Sequence, residues 1–241
     1  MSKRASKPAS KALQNHLCSW RLLWRVALCA AAASLGLAAQ ASAAPRVKFV
    51  TTAGQFVVEL YPDHAPRTVE NFLRYVRERH YDGTIFHRVI KDFMIQSGGF
   101  DAQFHEKKTR PPVPHEGRLA LANGKLRNTV GTLAMARTAE PNSATAQFFI
   151  NVRDNAFLDP VPIPPGDPVP TFSYQGKTYT NVPRSTLERV PQLFGYTVFG
   201  KVVSGMEVVQ KIQAVPTGAA GPFASDVPQT VILIQSATLE P

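Results

Sequence analysis

Cysteine is nearly absent from this chain: of 241 residues only Cys18 and Cys29 carry a thiol, and both lie before residue 44. A mature chain lacking that stretch has no thiol, which excludes disulfides, thiol nucleophiles and cysteine-ligated metals. A G-x-S-x-G serine is also missing, so Asp63 and His64 have no nucleophile of the elbow type to serve. His64, His80, His105 and His115 fall at no metal-ligand spacing such as His-x-x-x-His. The chain holds no internal repeat, and the region beyond residue 43 has no Lys/Arg stripe interleaved with aromatics, so nucleic acid is not an expected partner. The one Ala-rich apolar run, Val26 to Ala39, is too short to span a bilayer.

What precedes and follows that run has a direction. Lys3, Arg4, Lys7, Lys11, Arg21 and Arg25 come first with no acid among them, and Ala41-Ser42-Ala43 comes after. Basic, apolar, then small-x-small is the order of a secretory signal peptide, and cleavage is expected after Ala43. An uncleaved anchor is the alternative, and a lipoprotein signal at Cys29 fits poorly. The expected domain is then 44–241, exported from the cytoplasm. Six of the 27 basic residues leave with the signal, so 21 remain against 17 acidic ones and the formal charge falls from +10 to +4.

Short apolar runs bounded by turn residues recur along that domain. Strands are predicted at 46–51, 55–61, 84–90, 94–98, 131–136, 147–152, 197–203 and 231–238, with a hairpin turn at Thr52-Ala53-Gly54. Val69, Phe72, Leu73 and Val76 have helical spacing behind Pro66, and Met206, Val209 and Ile212 form a second stripe that stops before Pro216. Many strands and two helices make the fold mainly β, a sandwich or a closed barrel. Residues 100–129 read as a long loop.

The chemistry concentrates between Thr84 and Phe100. Arg88 lies among Phe86, Phe93, Met94 and Ile95, with Gln96 as the nearby amide. A strand alternates its faces, so Phe86 and Arg88 are expected on one side and Ile85, His87 and Val89 on the other. An isolated Phe-His-Arg is most simply a surface arginine lying over apolar neighbours. The segment from Gly131 to Asp159 changes that reading.

Phe86-His87-Arg88, Phe93-Met94-Ile95-Gln96, Met135-Ala136-Arg137, Gln147-Phe148-Phe149-Ile150 and Phe157-Leu158 stand in one order. Together they resemble the cyclophilin family of peptidyl-prolyl cis-trans isomerases. Val198 to Val202 and Gly205-Met206 extend the resemblance over roughly 47 to 240. Ala136-Arg137-Thr138 and Phe194-Gly195-Tyr196 look most like the bacterial periplasmic branch.

The resemblance implies an eight-stranded antiparallel barrel, closed and capped by a helix at each end. It implies Arg88 as the catalytic donor to the prolyl nitrogen, with Gln96 hydrogen-bonded to it. The proline ring would sit among Phe93, Met94, Phe149 and Leu158, with Gln147 beside the substrate and the backbone near Ala136 and Arg137 pairing with it. Phe157 stands where the best-known eukaryotic members have a pocket-rim tryptophan, so weak cyclosporin binding is expected. Tyr196 and Arg137 replace a histidine and an asparagine of the groove. His87 reads as structural.

No cofactor or metal is expected. The expected partners are proline-containing peptides and unfolded or refolding secreted proteins, met by a monomer free of the membrane once its signal is removed. The implied function is isomerisation of X-Pro bonds in exported proteins, a folding-assistant or chaperone role; a peptide-binding holdase with incidental turnover is the alternative.

Residues 159–193 depart from the family, which has a short connection there. Eight prolines exclude a long helix or inner strand. Phe172 and Tyr174 before Gln175-Gly176 suggest a small hairpin, and Ser185 with Glu188 a capping box. The insert is either a tolerated surface loop or a flap over the groove.

Overall fold

The computed structural model describes residues 44–240. The expected signal peptide, its cleavage point and both cysteines lie outside the described residues.

Alternation builds the first hairpin. In β1 (Arg46–Thr51) the residues Val47, Phe49 and Thr51 turn inward, and in β2 (Gly54–Leu60) Phe56, Val58 and Leu60 do the same. The turn between them is fixed by Thr51 Oγ1, which donates to Gly54 O at 2.7 Å and accepts from Ala53 N–H. Six more strands join: β3 (Arg88–Ile90), β4 (Met94–Ser97), β5 (Thr132–Met135), β6 (Phe148–Asn151), β9 (Val198–Ser204) and β12 (Ile234–Leu239). All neighbours are antiparallel, in the order β12-β1-β2-β9-β5-β6-β4-β3.

The two end strands, β12 and β3, share no ladder. A bridge between Ile85 and Leu233 spans the seam, with Phe86 N–H donating to Ile232 O at 3.0 Å and Ile234 N–H to Thr84 O at 2.8 Å. A closed barrel therefore overstates the architecture, which is an eight-stranded half-barrel stitched across its gap. The cause is local. The backbone leaves strand geometry at Phe86-His87, so the expected strand 84–90 is reduced to β3.

Inside, aromatic rings dominate. Phe49 and Phe56 stack at 4.9 Å, Phe72 meets Phe199 at 5.0 Å, and Tyr81 and Phe148 complete the cluster. Phe72 comes from α1 (Pro66–Arg77), whose apolar stripe Val69, Phe72, Leu73 and Val76 is buried as the spacing predicted. No local side chain caps this helix. Glu116 instead reaches its first turn from far along the chain, accepting from Arg67 N–H, Thr68 N–H and Thr68 Oγ1. A carboxylate at a helix N-terminus satisfies orphan donors and the dipole together. Glu116 also precedes α2 (Gly117–Gly124), a helix within the expected loop that ends at left-handed Lys125.

Two small hairpins lie apart from the main sheet: β7 (Val169–Tyr174) with β8 (Lys177–Val182), and β10 (Thr217–Ala220) with β11 (Phe223–Pro228). The first belongs to the insert, which buries its own cluster of Val169, Phe172, Leu187 and Leu193. The capping box is not formed: α3 (Arg184–Glu188) starts after Pro183, and Arg184 N–H is accepted by Asp167 Oδ1 instead. The insert leaves and returns at one point, where Val161 N–H meets Leu193 O and Tyr196 N–H meets Leu158 O. Gly195 is required there, at φ +62° with any Cβ only 2.4 Å from Pro160 N. The last helix, α4 (Met206–Gln213), buries Val209 and Ile212. Among the described residues no helix is long and apolar enough to cross a membrane.

Candidate active site

The period of two that fills the core also builds the site, on the opposite face of the same strands. Register places Arg88 opposite Gln96, Gln96 opposite Phe149, Phe149 opposite Ala134, and Ala134 opposite Val198. Their chain neighbours Val89, Ile95, Phe148, Leu133 and Phe199 all enter the core. A second apolar cluster thus forms outside it from Met94, Ala134, Phe149, Leu158 and Val198, with Phe93, Ala136 and Tyr196 packed against it.

These side chains enclose a groove cavity of about 350 Å³, lined by Arg88, Phe93, Met94, Gln96, Ala136, Arg137, Gln147, Phe149, Leu158 and Tyr196, together with His87, Phe100 and Phe223. Ten of the eleven positions expected from the sequence are brought together. Phe157 is not among the lining residues; it is 75% exposed and stacks on the outer side of Phe93, ring centroids 5.6 Å apart.

The polar groups are few and placed by different elements. Gln96 Nε2 donates to Gln147 Oε1 at 2.9 Å. Gly99 leaves the space that Gln147 occupies, since a Cβ there would meet Gln147 Nε2 at 2.5 Å and its Cγ at 2.8 Å. Arg88 is partly exposed, and its Nε stands 4.0 Å from Asp226 Oδ2 on β11. No side-chain hydrogen bond joins Gln96 to Arg88, although register sets them opposite each other. Arg137 donates from Nε to Gly195 O at 3.0 Å and lies over the Tyr196 ring, which meets Phe149 edge-on at 5.4 Å. Ala136 N–H is taken by Gln147 O, while Ala136 O and Arg137 N–H take part in no hydrogen bond among the described residues.

His87 was expected to turn away from Arg88, with Phe86 beside it. The break at 86–87 reverses this: Phe86 and Val89 both enter the core, and buried His87 joins Arg88 at the groove. Its ring lies 4.8 Å from Phe100 and 5.5 Å from Phe223. Burial holds the imidazole down at about 4; the charge of Arg88 adds to this, while the Ile85 backbone and the Gln147 side chain oppose it. His87 is therefore neutral near pH 7, and its Nδ1 is buried without a hydrogen-bond partner. Phe223 and Asp226 went unnoticed in the sequence because the Gly/Ala-rich stretch from Thr217 gives no strand signal. Phe100, just after Gly98-Gly99, closes the segment from Thr84 in which the chemistry concentrates.

The arrangement can hold a small apolar ring against Phe93, Met94, Phe149 and Leu158. It can pair an extended backbone with Ala136 O and Arg137 N–H, and it can aim a guanidinium at the bond between them.

The sequence pattern described as cyclophilin type peptidyl-prolyl cis-trans isomerase/CLD matches residues 46–239. A peptidyl-prolyl cis-trans isomerase of Streptomyces antibioticus is 46% identical over 193 residues, covering 80% of this chain and 97% of its own. Peptidyl-prolyl cis-trans isomerase B of Escherichia coli is 45% identical over 193 residues, covering 80% and 98%. Among solved structures, a cyclophilin type peptidyl-prolyl cis-trans isomerase of Cryptosporidium parvum, crystallised in the presence of the dipeptide Ala-Pro, superimposes with a TM-score of 0.53. That pair shares 23% identity over 81% of this chain and 99% of the other, which is a likeness of fold.

Proposed function

The chain belongs to the family of cyclophilin-type peptidyl-prolyl cis-trans isomerases, and we propose that its activity is carried by Arg88 acting on X-Pro bonds of exported proteins. Rotation about a peptide bond crosses a barrier of about 18–20 kcal/mol because the C–N bond is partly double. In the twisted amide the prolyl nitrogen loses conjugation and gains a free lone pair. A donor aimed at that lone pair binds the transition state and neither planar isomer, which is the differential binding that catalysis needs.

One observation carries this assignment. The row Arg88, Gln96, Phe149 and Ala134 sets a guanidinium at one side of an apolar cup, on a rigid sheet whose other face is the core. Arginine suits the role because its planar fork keeps its donors in fixed directions and stays charged at every working pH. Phe93, Met94, Phe149 and Leu158 would hold the ring, and Ala136 O and Arg137 N–H the chain beside it, a strand-like contact. Gln96 and Gln147, bonded to each other, act as one amide unit at the wall of the cup.

The cellular setting rests on the first 43 residues, whose basic, apolar and small-residue order supports export to the periplasm by a cleaved signal. N-terminal sequencing of the exported protein tests this: a chain beginning at Ala44 is expected, and one beginning at Met1 defeats it. For the site, turnover of an Ala-Pro tetrapeptide is compared between the wild type and a folded Arg88→Ala variant. Wild-type-like turnover in the variant removes Arg88 from the mechanism.

A further inference from the structure

A second cavity, of about 540 Å³, opens where the insert meets α2. Its floor is apolar, made by Leu121 and Ala122 from the helix and Val161 and Ile163 from the insert. Its rim carries Arg118, Lys125, Arg127 and Arg184 against one carboxylate, Glu188.

Two of those cations are already committed. Arg127 pairs with Asp159 at 3.0 Å, and Arg184 donates to the carbonyls of Pro164 and Gly166 and lies 3.7 Å from Glu188. Arg118 and Lys125 have no carboxylate within 4.0 Å among the described residues. Arg118 is the unusual one. Its guanidinium is held 4.5 Å above the Phe194 ring, and both Nε and Nη2 are buried without a hydrogen-bond partner. Those two nitrogens carry three N–H donors, and buried donors without acceptors are costly to keep. Those two are also closed to solvent, so the donor that the cavity offers a ligand is Nη1, which takes part in no hydrogen bond among the described residues.

We propose that this cavity is a second peptide subsite, which takes an acidic and apolar stretch of the same polypeptide whose proline occupies the groove. The proposal rests on the groove being the isomerase site. An Asp or Glu carboxylate accepts from Arg118 with Lys125 nearby, and the neighbouring apolar residues lie on Val161 and Ile163. The two sites are close along the chain: Leu158 lines the groove and Pro160 lines the cavity. Two residues span at most about 7 Å, so the two walls adjoin, and on this proposal one extended client segment runs from the groove into the cavity. The second contact is then intramolecular and tightens binding without altering the chemistry. The insert, expected from the sequence as a departure from the family's short connection, supplies half of this subsite.

The test uses proline peptides with one common X-Pro core. Each is extended on its N-terminal or its C-terminal side by Glu-Leu-Glu-Leu or by Gln-Leu-Gln-Leu, and KM and kcat are measured for both. On one of the two sides the Glu peptide is expected to show a KM about tenfold below its Gln twin, as a charged hydrogen bond gives, with kcat unchanged. That preference should shrink as salt rises, vanish in Arg118→Gln and weaken in Lys125→Gln, whose side chain is exposed. Turnover of a short unextended peptide should be the same in all three proteins. Equal KM values for Glu and Gln peptides on both sides, or a preference that survives both substitutions, overturn the subsite. Loss of short-peptide turnover in the wild type would instead fault the groove assignment, and the two failures are thereby separable.

Discussion

Arg88 and Asp226 come from strands that no sequence pattern connects, yet Nε of the first lies 4.0 Å from Oδ2 of the second. Both side chains are partly exposed, so the pair contributes at most about 1 kcal/mol to stability. Its consequence is directional. Asp226 draws the guanidinium toward the β10-β11 hairpin and limits the rotamers from which Arg88 approaches the groove.

Asp226→Asn separates these two effects, and asparagine tolerates the left-handed backbone found there, φ +67°. The expected result is a fall in kcat of roughly threefold to fivefold, equivalent to about 1 kcal/mol, with KM and the melting temperature nearly unchanged. A variant with unaltered kcat would show that the hairpin carboxylate has no part in placing Arg88.

Arg88→Ala should lower kcat/KM by about two orders of magnitude, since loss of one preorganised transition-state donor costs roughly 2.7–4 kcal/mol. Arg88→Lys should recover only part of it, because a point charge does not reproduce the fork. Peptide affinity, read by titration calorimetry, should change far less than turnover.

The sheet and the cup were legible because both obey one rule. Alternating residues from β4, β5 and β6 divide between the core and the groove, so the pattern that predicts the strands also predicts which residues meet. The rule failed where the backbone stops being a strand. At Phe86-His87 the irregular chain sends His87 toward the groove, against its expected face. It also failed where side chains are small: β10 and β11 form from Thr217 to Pro228 with scant apolar alternation, so Phe223 and Asp226 gave no signal. The helix α2 was hidden because its apolar side is slight, with only Gly117 and Ala120 fully buried. In the insert, the hairpin was legible from its turn residues, but Asp167 rather than Ser185 meets the start of α3, a tertiary choice that local spacing does not contain.

The buried histidines make stability fall on mild acidification. His87 and His115 are both held down at about 4 by burial, well below their usual 6.5. Between those values the unfolded chain binds protons that the folded chain does not, so stability rises with pH across that window. It is fully present above about 6.5 and is lost progressively toward 4, by up to roughly 3 kcal/mol for His87. Melting temperatures from pH 4 to 8 should show this slope, and His87→Gln should flatten it. An unchanged slope in the variant would mean that His87 titrates alike in the folded and the unfolded chain.

Gly99→Ala tests the amide unit without touching it. The added methyl occupies the position of Gln147 Nε2 and Cγ, so the side chain must swing out and break its bond from Gln96. Turnover should drop about fivefold, the equivalent of one ordinary hydrogen bond, while Arg88 stays in place. Unaltered kcat/KM would show that the Gln96-Gln147 bond is not needed for the reaction.

The insert invites the sharpest separation of roles. Its anchors Leu158 and Tyr196 line the groove, but no residue from Pro160 to Gly195 does. The insert packs instead around its own cluster of Val169, Phe172, Leu187 and Leu193. A flap that narrows the groove would need side chains within it, and a structure with none predicts that short substrates ignore the insert. The chain can be shortened where it returns on itself, because Val161 N–H is already bonded to Leu193 O at 3.0 Å. Replacing 162–192 with a tight Asn-Gly turn keeps that pair and removes the hairpin and α3. Turnover of a panel of X-Pro tetrapeptides should keep its ranking, with each kcat/KM within about twofold of the wild type, under ~0.5 kcal/mol. The preference for Glu over Gln extensions should weaken at the same time, because Arg118, Lys125 and Val161 stay but Ile163 and Arg184 leave the second cavity. A reordered tetrapeptide ranking would restore the flap over the groove, and retention of the full Glu preference would show that the insert contributes nothing to the second subsite.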